Sequence, residues 1–228
     1  MNMLNTIKNL LEGNNKKVKT VENAQKEVDK LTVAENELHD QRSSVARKIS
    51  EVEQALRIIS ANLVIDEKDK TALASKEKGT KKLESLQAEV AELDSKIANT
   101  REKVLEAKKE LFRSQGEEAK KVNIEVTKNQ MVIHQINEFF DVDSYSAHSL
   151  KGNHQAPQDI SQAYGLGDFQ QLNPQEQSFI LGINKEINEK GKEEANKIVK
   201  EVFEAINVVL DKHNVELADQ TKERIEKL

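Results

Sequence analysis

The side chains best suited to acid–base or metal chemistry in this sequence are five histidines and a large stock of carboxylates. Their spacing serves neither purpose. His148 and His154 fall near Asp141, Asp143 and Asp159 in one polar stretch, but a metal centre needs ligands at tight, structured intervals that hold several donors around one ion. His134 lies among Met131, Val132, Ile133 and Ile136 and reads as the polar edge of a packed helix rather than a ligand. The carboxylates alternate with lysines on what look like solvated helix faces, where no carboxyl group is desolvated enough to serve as a general acid at neutral pH. The chain has no cysteine, which removes thiol nucleophiles, disulfides and cysteine-bound zinc together. No glycine-rich phosphate loop, G-x-S-x-G elbow or H-E-x-x-H pair occurs, and Gly165 with Gly167 reads as a flexible loop. The expectation is a non-enzymatic protein with no catalytic residues, cofactor or metal.

The elements that would position any site are helices. From Val18 to Leu63 the residues Leu31, Leu38, Val45, Val52 and Ile59 recur every seventh position, with Val21, Val28, Ile49, Leu56 and Leu63 on a companion track. Those are the a and d positions of a coiled coil. A second run, Leu83, Val90, Ile97, Val104 and Leu111 with Leu86 and Leu93, repeats the pattern. Narrow a/d stripes flanked by charge each need one partner helix, and the nearest is the other run. Folding back sets Leu63 beside Leu83 and Val18 near Lys128, an arm of about 65–70 Å at 1.5 Å per residue. Pairing in trans between chains is the alternative. The predicted fold class is all-α, a long antiparallel coiled-coil hairpin projecting from a small helical bundle.

The expected organisation has an amphipathic helix at 1–15 packed on the base and a hairpin over 16–128 with its tip near 64–82. A bundle follows from 129–140 and 174–217, joined by a long loop at 141–173, with a frayed tail at 218–228. Glu35 and Arg42 occupy a positions and should either snorkel or fix register. After Leu111 the heptad phase slips by one residue and Gly116 follows. A slip forces over- or underwinding, or a break, and it is expected opposite Glu35. Asn173, Pro174 and Glu176 spell a helix start, and Gly191 marks a kink or break further on.

Charge is nearly balanced, 35 basic against 40 acidic side chains, and no part is basic enough to make nucleic acid a main ligand. Aromatics make up only 4% and prolines number two, too little bulk for one thick core along the whole chain. No stretch approaches the ~18 apolar residues of a membrane span, so the protein is expected in the cytoplasm. The candidate partner contacts are the loop anchors Tyr145, Leu150, Tyr164, Phe169 and Leu172, and the tip lysines Lys76, Lys78, Lys81 and Lys82. The expected function is that of a scaffold that tethers or spaces protein partners or assembles as a homo-oligomer, a pattern that fits a phage or mobile-element assembly factor.

A short amphipathic start, a long charged helical hairpin, and Ala72, Leu73 and Lys76 ahead of Leu83 and Leu86 resemble in layout the phage shock protein A type of membrane-remodelling protein. The resemblance implies an alternative role as a membrane-associated assembly protein that touches the membrane surface through residues 1–15.

Overall fold

The computed structural model describes residues 18–153 and 155–226; the helix expected at 1–15 lies outside them. Among the described residues all regular structure is helical. The chain is all-α, built on two long, closely packed helices, α1 (Val21–Ile65) and α2 (Lys70–Phe139). A single turn, α3 (Ile160–Ala163), and a 3-10 turn at Phe169–Gln171 precede α4 (Pro174–Lys212) and a short α5 (Asp219–Glu226). Lys19–Leu111 form one compact unit, and from Phe112 onward the chain belongs to another. The division falls where the heptad phase slips, although α2 itself runs through that point unbroken.

In the first unit α1 and the beginning of α2 form an antiparallel hairpin. Thr20 caps α1 by accepting from the Asn23 amide at 3.3 Å. Val45, Leu86 and Leu93 form the buried centre of the seam, with Leu38, Ile49, Val52 and Val90 packed on them. Ala24, Val28 and Leu111 close its far end. Each buried aliphatic side chain contributes about 1.5–3 kcal/mol, and the seam is long enough to repeat that gain many times.

The tip differs from the sequence expectation. The turn is confined to Asp66–Asp69, and Lys70–Lys82 is helical rather than a solvated loop. Asp69 supplies the reason: its carboxylate accepts from the Thr71 and Ala72 amides at 2.8 and 3.1 Å, satisfying helix donors that would otherwise be orphaned. The register moves accordingly. Leu56 already faces Gly79, where an added Cβ would lie 2.7 Å from a leucine methyl, so Leu63 does not reach Leu83. Leu111 meets Ala24 and Val28, which puts the phase slip near the start of α1 and not opposite Glu35. Arg42 is half exposed and reaches across the hairpin to Asp94 at 2.5 Å, a contact that only this register permits. As an exposed pair it adds specificity of alignment more than stability.

In the second unit, α4 runs in the same direction as the last part of α2. Lys120 pairs with Glu186 at 2.5 Å, Thr127 packs on Gly191, Gln135 donates to Asn196 at 2.8 Å, and Phe139 stacks on Phe203 at 3.8 Å between centroids. Contacts that advance together along both helices mean parallel neighbours. The connection must therefore return roughly 40 Å, from Phe139 back to Phe112 at 1.5 Å per residue. Residues 140–173 do this, and their length is that of a crossover. Gly191 does not end α4, which is continuous to Lys212; it is buried against α2, and a Cβ there would meet Thr127 at 2.7 Å. The expected start of α4 is present as a full capping box between Asn173 and Glu176 with Pro174 behind it. Within the expected tail, Asp219–Glu226 is helical as α5, and its Arg224 guanidinium lies 5.2 Å from the centre of the Phe139 ring.

Candidate interaction surface

The crossover is where most loop anchors were placed, and the second unit's own helices consume several of them. Two asparagines of α2 hold its extended part. The Asn137 amide donates to the Leu150 carbonyl at 2.9 Å and accepts from the Leu150 amide at 2.8 Å. Asn123 does the same with Gln158, at 2.8 and 2.7 Å. A carboxamide offers one acceptor and donors in the geometry of a peptide group, so each asparagine pairs with this extended segment, the strap between Leu150 and Gln158, as a neighbouring strand would. Asp159 then caps α3 by accepting from Ser161 and Gln162, and those hydrogen bonds, from the Ser161 hydroxyl first, hold its carboxyl below the usual carboxylate range.

Tyr164 completes the attachment. It is 3% exposed and sits over Gly116, where any Cβ would approach its ring to 2.5 Å. Gly116 is thus a notch in a continuous helix and not a point where the seam loosens. The Tyr164 hydroxyl donates to the Glu117 carboxylate at 2.8 Å. Burial, reinforced by that carboxylate, pushes the Tyr164 phenol far above its ordinary value. A folded pKa raised above the unfolded one contributes stability that is complete below about pH 10 and is lost as pH rises beyond it. Tyr164→Phe should therefore be less sensitive to alkali than the parent between about pH 10 and 11. The parent-minus-variant phenolate absorbance should appear only as the protein unfolds, and its appearance in the folded protein would refute this account.

The five loop anchors thus separate. Tyr164 and Leu172 are buried in a core with Ile160, Ala119, Ile180, Ile183 and Ile187, and Phe169 packs against it; Tyr164 and Leu172 cannot be partner contacts without unpacking that core. Tyr145 is 93% exposed and Leu150 is exposed. Between the strap and the end of α2 lies a cleft of about 560 Å³ lined by Gln130, Ile133, His134, Glu138, Asp143 and Lys151 among others. His134 and Glu138 stand 3.9 Å apart there with most of both side chains in water. His148 is exposed, His154 lies outside the described residues, and among the described residues no group of three or more metal-ligating side chains converges.

Lys76, Lys78, Lys81 and Lys82 are all exposed on α2. At 100° per residue Lys78, Lys81 and Lys82 share an outward face, whereas Lys76 points well away from it, and Lys81 is paired with Glu77 at 2.7 Å. They do not form one basic patch. The residues that sequence reading overlooked lie closer to the turn: Val64 is 82% exposed and Ile65 is 88% exposed, with Ile58 and Leu73 also open to solvent. The signal was the run Leu63-Val64-Ile65, of which only the first continues the heptad track.

No family model, curated protein or solved structure matches this chain. Its own surfaces bear on what it does. Among the described residues no helix is long and apolar enough to cross a membrane.

Proposed function

We propose that the chain is a non-enzymatic interaction protein of the cytoplasm, a coiled-coil hairpin that tethers or spaces protein partners and contacts one of them through the aliphatic end of the hairpin. The observation behind this reading is the pair Val64 and Ile65, adjacent, almost fully exposed and next to a four-residue turn. Single exposed aliphatics are ordinary, but large neighbouring ones held on a stiff end are characteristic of contact surfaces. Away from that end much of the hairpin surface carries charges, several of them paired along one helix, as in Lys26–Glu22 and Lys96–Glu92, which suits a spacer.

A photoreactive amino acid at Ile65 should give discrete protein adducts in an extract of the source cell. The same probe at Glu51, on the charged flank, should give none, and Val64→Asp should suppress the Ile65 adducts without changing helicity. Equal labelling from both positions would remove the tip from this role. The membrane reading depends on residues 1–15; flotation with anionic liposomes that disappears when those residues are deleted would put it in place of the tether.

A further inference from the structure

The strap is drawn out and open. Asn123 and Asn137, which pin Gln158 and Leu150, stand fourteen positions apart on one continuous helix, about 21 Å at 1.5 Å per residue. Eight residues reach about 26–29 Å when fully extended, so the chain between the two pins has little slack. Lys151 and Asn153 are exposed and Gly152 is half-buried. Among the described residues, no backbone amide or carbonyl of these three is hydrogen-bonded to the rest of the protein. The Lys151 ammonium donates to the carbonyl of Ser144, itself an exposed residue.

Such a segment is what an endopeptidase requires. Its active site takes substrate as a straight strand through backbone groups, so a bond inside a helix must first unfold. In extended chain the N–H and C=O of successive residues point to opposite edges. With those of Leu150 turned to Asn137, Lys151 offers its own outward. From Val21 to Glu226 the described lysines and arginines outside helices are Lys68 and Lys151. Lys68 is poorly placed: its amide donates to the Asp66 carboxylate at 3.0 Å within a four-residue turn. Glu67 and Asp69 also flank it with charge that opposes the acidic pocket of a trypsin-like protease.

We infer that the Lys151–Gly152 bond is a cleavage site for an endopeptidase specific for basic residues, and that the cut protein stays together as two chains. Water is added across the bond: the Lys151 carbonyl carbon ends as a carboxylate and the Gly152 nitrogen as an ammonium. Each product keeps one pin, Leu150 on Asn137 in the first and on Asn123 in the second through Gln158. The core that joins Ala119 to Tyr164 and the Phe139–Phe203 stack also hold the two together. The cut thus turns the crossover from a covalent link into a non-covalent one. It leaves the hairpin tip untouched, so adducts at Ile65 do not depend on the outcome.

Trypsin at a low ratio to the full chain tests this, with products identified by intact mass and N-terminal sequence. Between Val21 and Lys212 the first cut should create an amino terminus at Gly152, at least tenfold faster than any other cut in that range. The nicked protein should run on a native sizing column as the parent does and split in denaturant. Lys151→Gln, a change at an exposed site, should slow cutting between Leu150 and Gln158 at least a hundredfold with unchanged helicity, and Lys151→Arg should restore it. A first cut elsewhere in that range, equal rates for the parent and Lys151→Gln, or nicked halves that separate on the native column would each overturn the inference.

Discussion

Tyr164→Ala should lower the unfolding free energy of the second unit by about 3–5 kcal/mol, the range for removing a buried aromatic side chain. Three losses add at this position. The ring is 3% exposed and fills the space over Gly116, it stands edge-on to Phe179 at 5.4 Å, and its hydroxyl satisfies Glu117. Chemical denaturation followed by circular dichroism measures the change, and a loss below about 1 kcal/mol would mean the crossover is not anchored there. The complementary change is Gly116→Val. Replacing a helical glycine on an open surface should stabilise by about 0.5–1 kcal/mol. Here the added Cβ must displace the tyrosine ring, so the sign should reverse to a loss of about 1–3 kcal/mol. Gly182, where an added Cβ meets nothing within 4 Å, is the control: Gly182→Ala should give the ordinary gain.

The second large effect should come from Asn123→Ala combined with Asn137→Ala. Each asparagine exchanges two hydrogen bonds with the strap, and a typical net contribution is about 0.5–1.5 kcal/mol per bond, so the double change should cost about 2–6 kcal/mol of strap attachment. The effect should be local. Amide hydrogen exchange at Leu150 and Gln158 should accelerate by at least a hundredfold, while protection at Val45 and Leu93 in the hairpin stays as it was. Unchanged exchange at Leu150 and Gln158 would show that other contacts hold the strap. Aspartate in place of asparagine offers a sharper probe, because it keeps the acceptor and loses the donor; the carbonyls of Leu150 and Gln158 would then face a carboxylate.

The hairpin was legible because a heptad pattern is a period, and a period survives ignorance of the partner. Val45, Leu86 and Leu93 were on their tracks and are buried as those tracks require. The position of the turn was not, because Lys70–Lys82 looks polar and its helical state depends on one aspartate cap at its start. The direction of α4 relative to α2 had no local signature. A long connection is compatible with either sense, and only the paired contacts along both helices settle it. The asparagines that hold the strap look like surface residues when read singly; their common face shows only once Asn123 and Asn137 are placed on one uninterrupted helix. Glycine misled most. Gly116 and Gly191 were read as weak points in a backbone, whereas both are close approaches, where the missing side chain makes room for Tyr164 and Thr127. The sequence also showed Tyr164 and Leu172 to be anchors, without showing that the surface they grip is their own.

The single helix that serves both units bears on the order in which the molecule can be assembled. Hairpin contacts nest around the turn at Asp66–Asp69, so each successive pair closes a loop only slightly larger than the last, at little extra entropic cost. Among the described residues, those that cover the Phe112–Phe139 part of the same helix, from Ile160 to Phe203, come later in the chain. On a ribosome, the first half of α2 can thus close on a segment already synthesised, while the crossover and α4, which pack on the second half, are still to be translated.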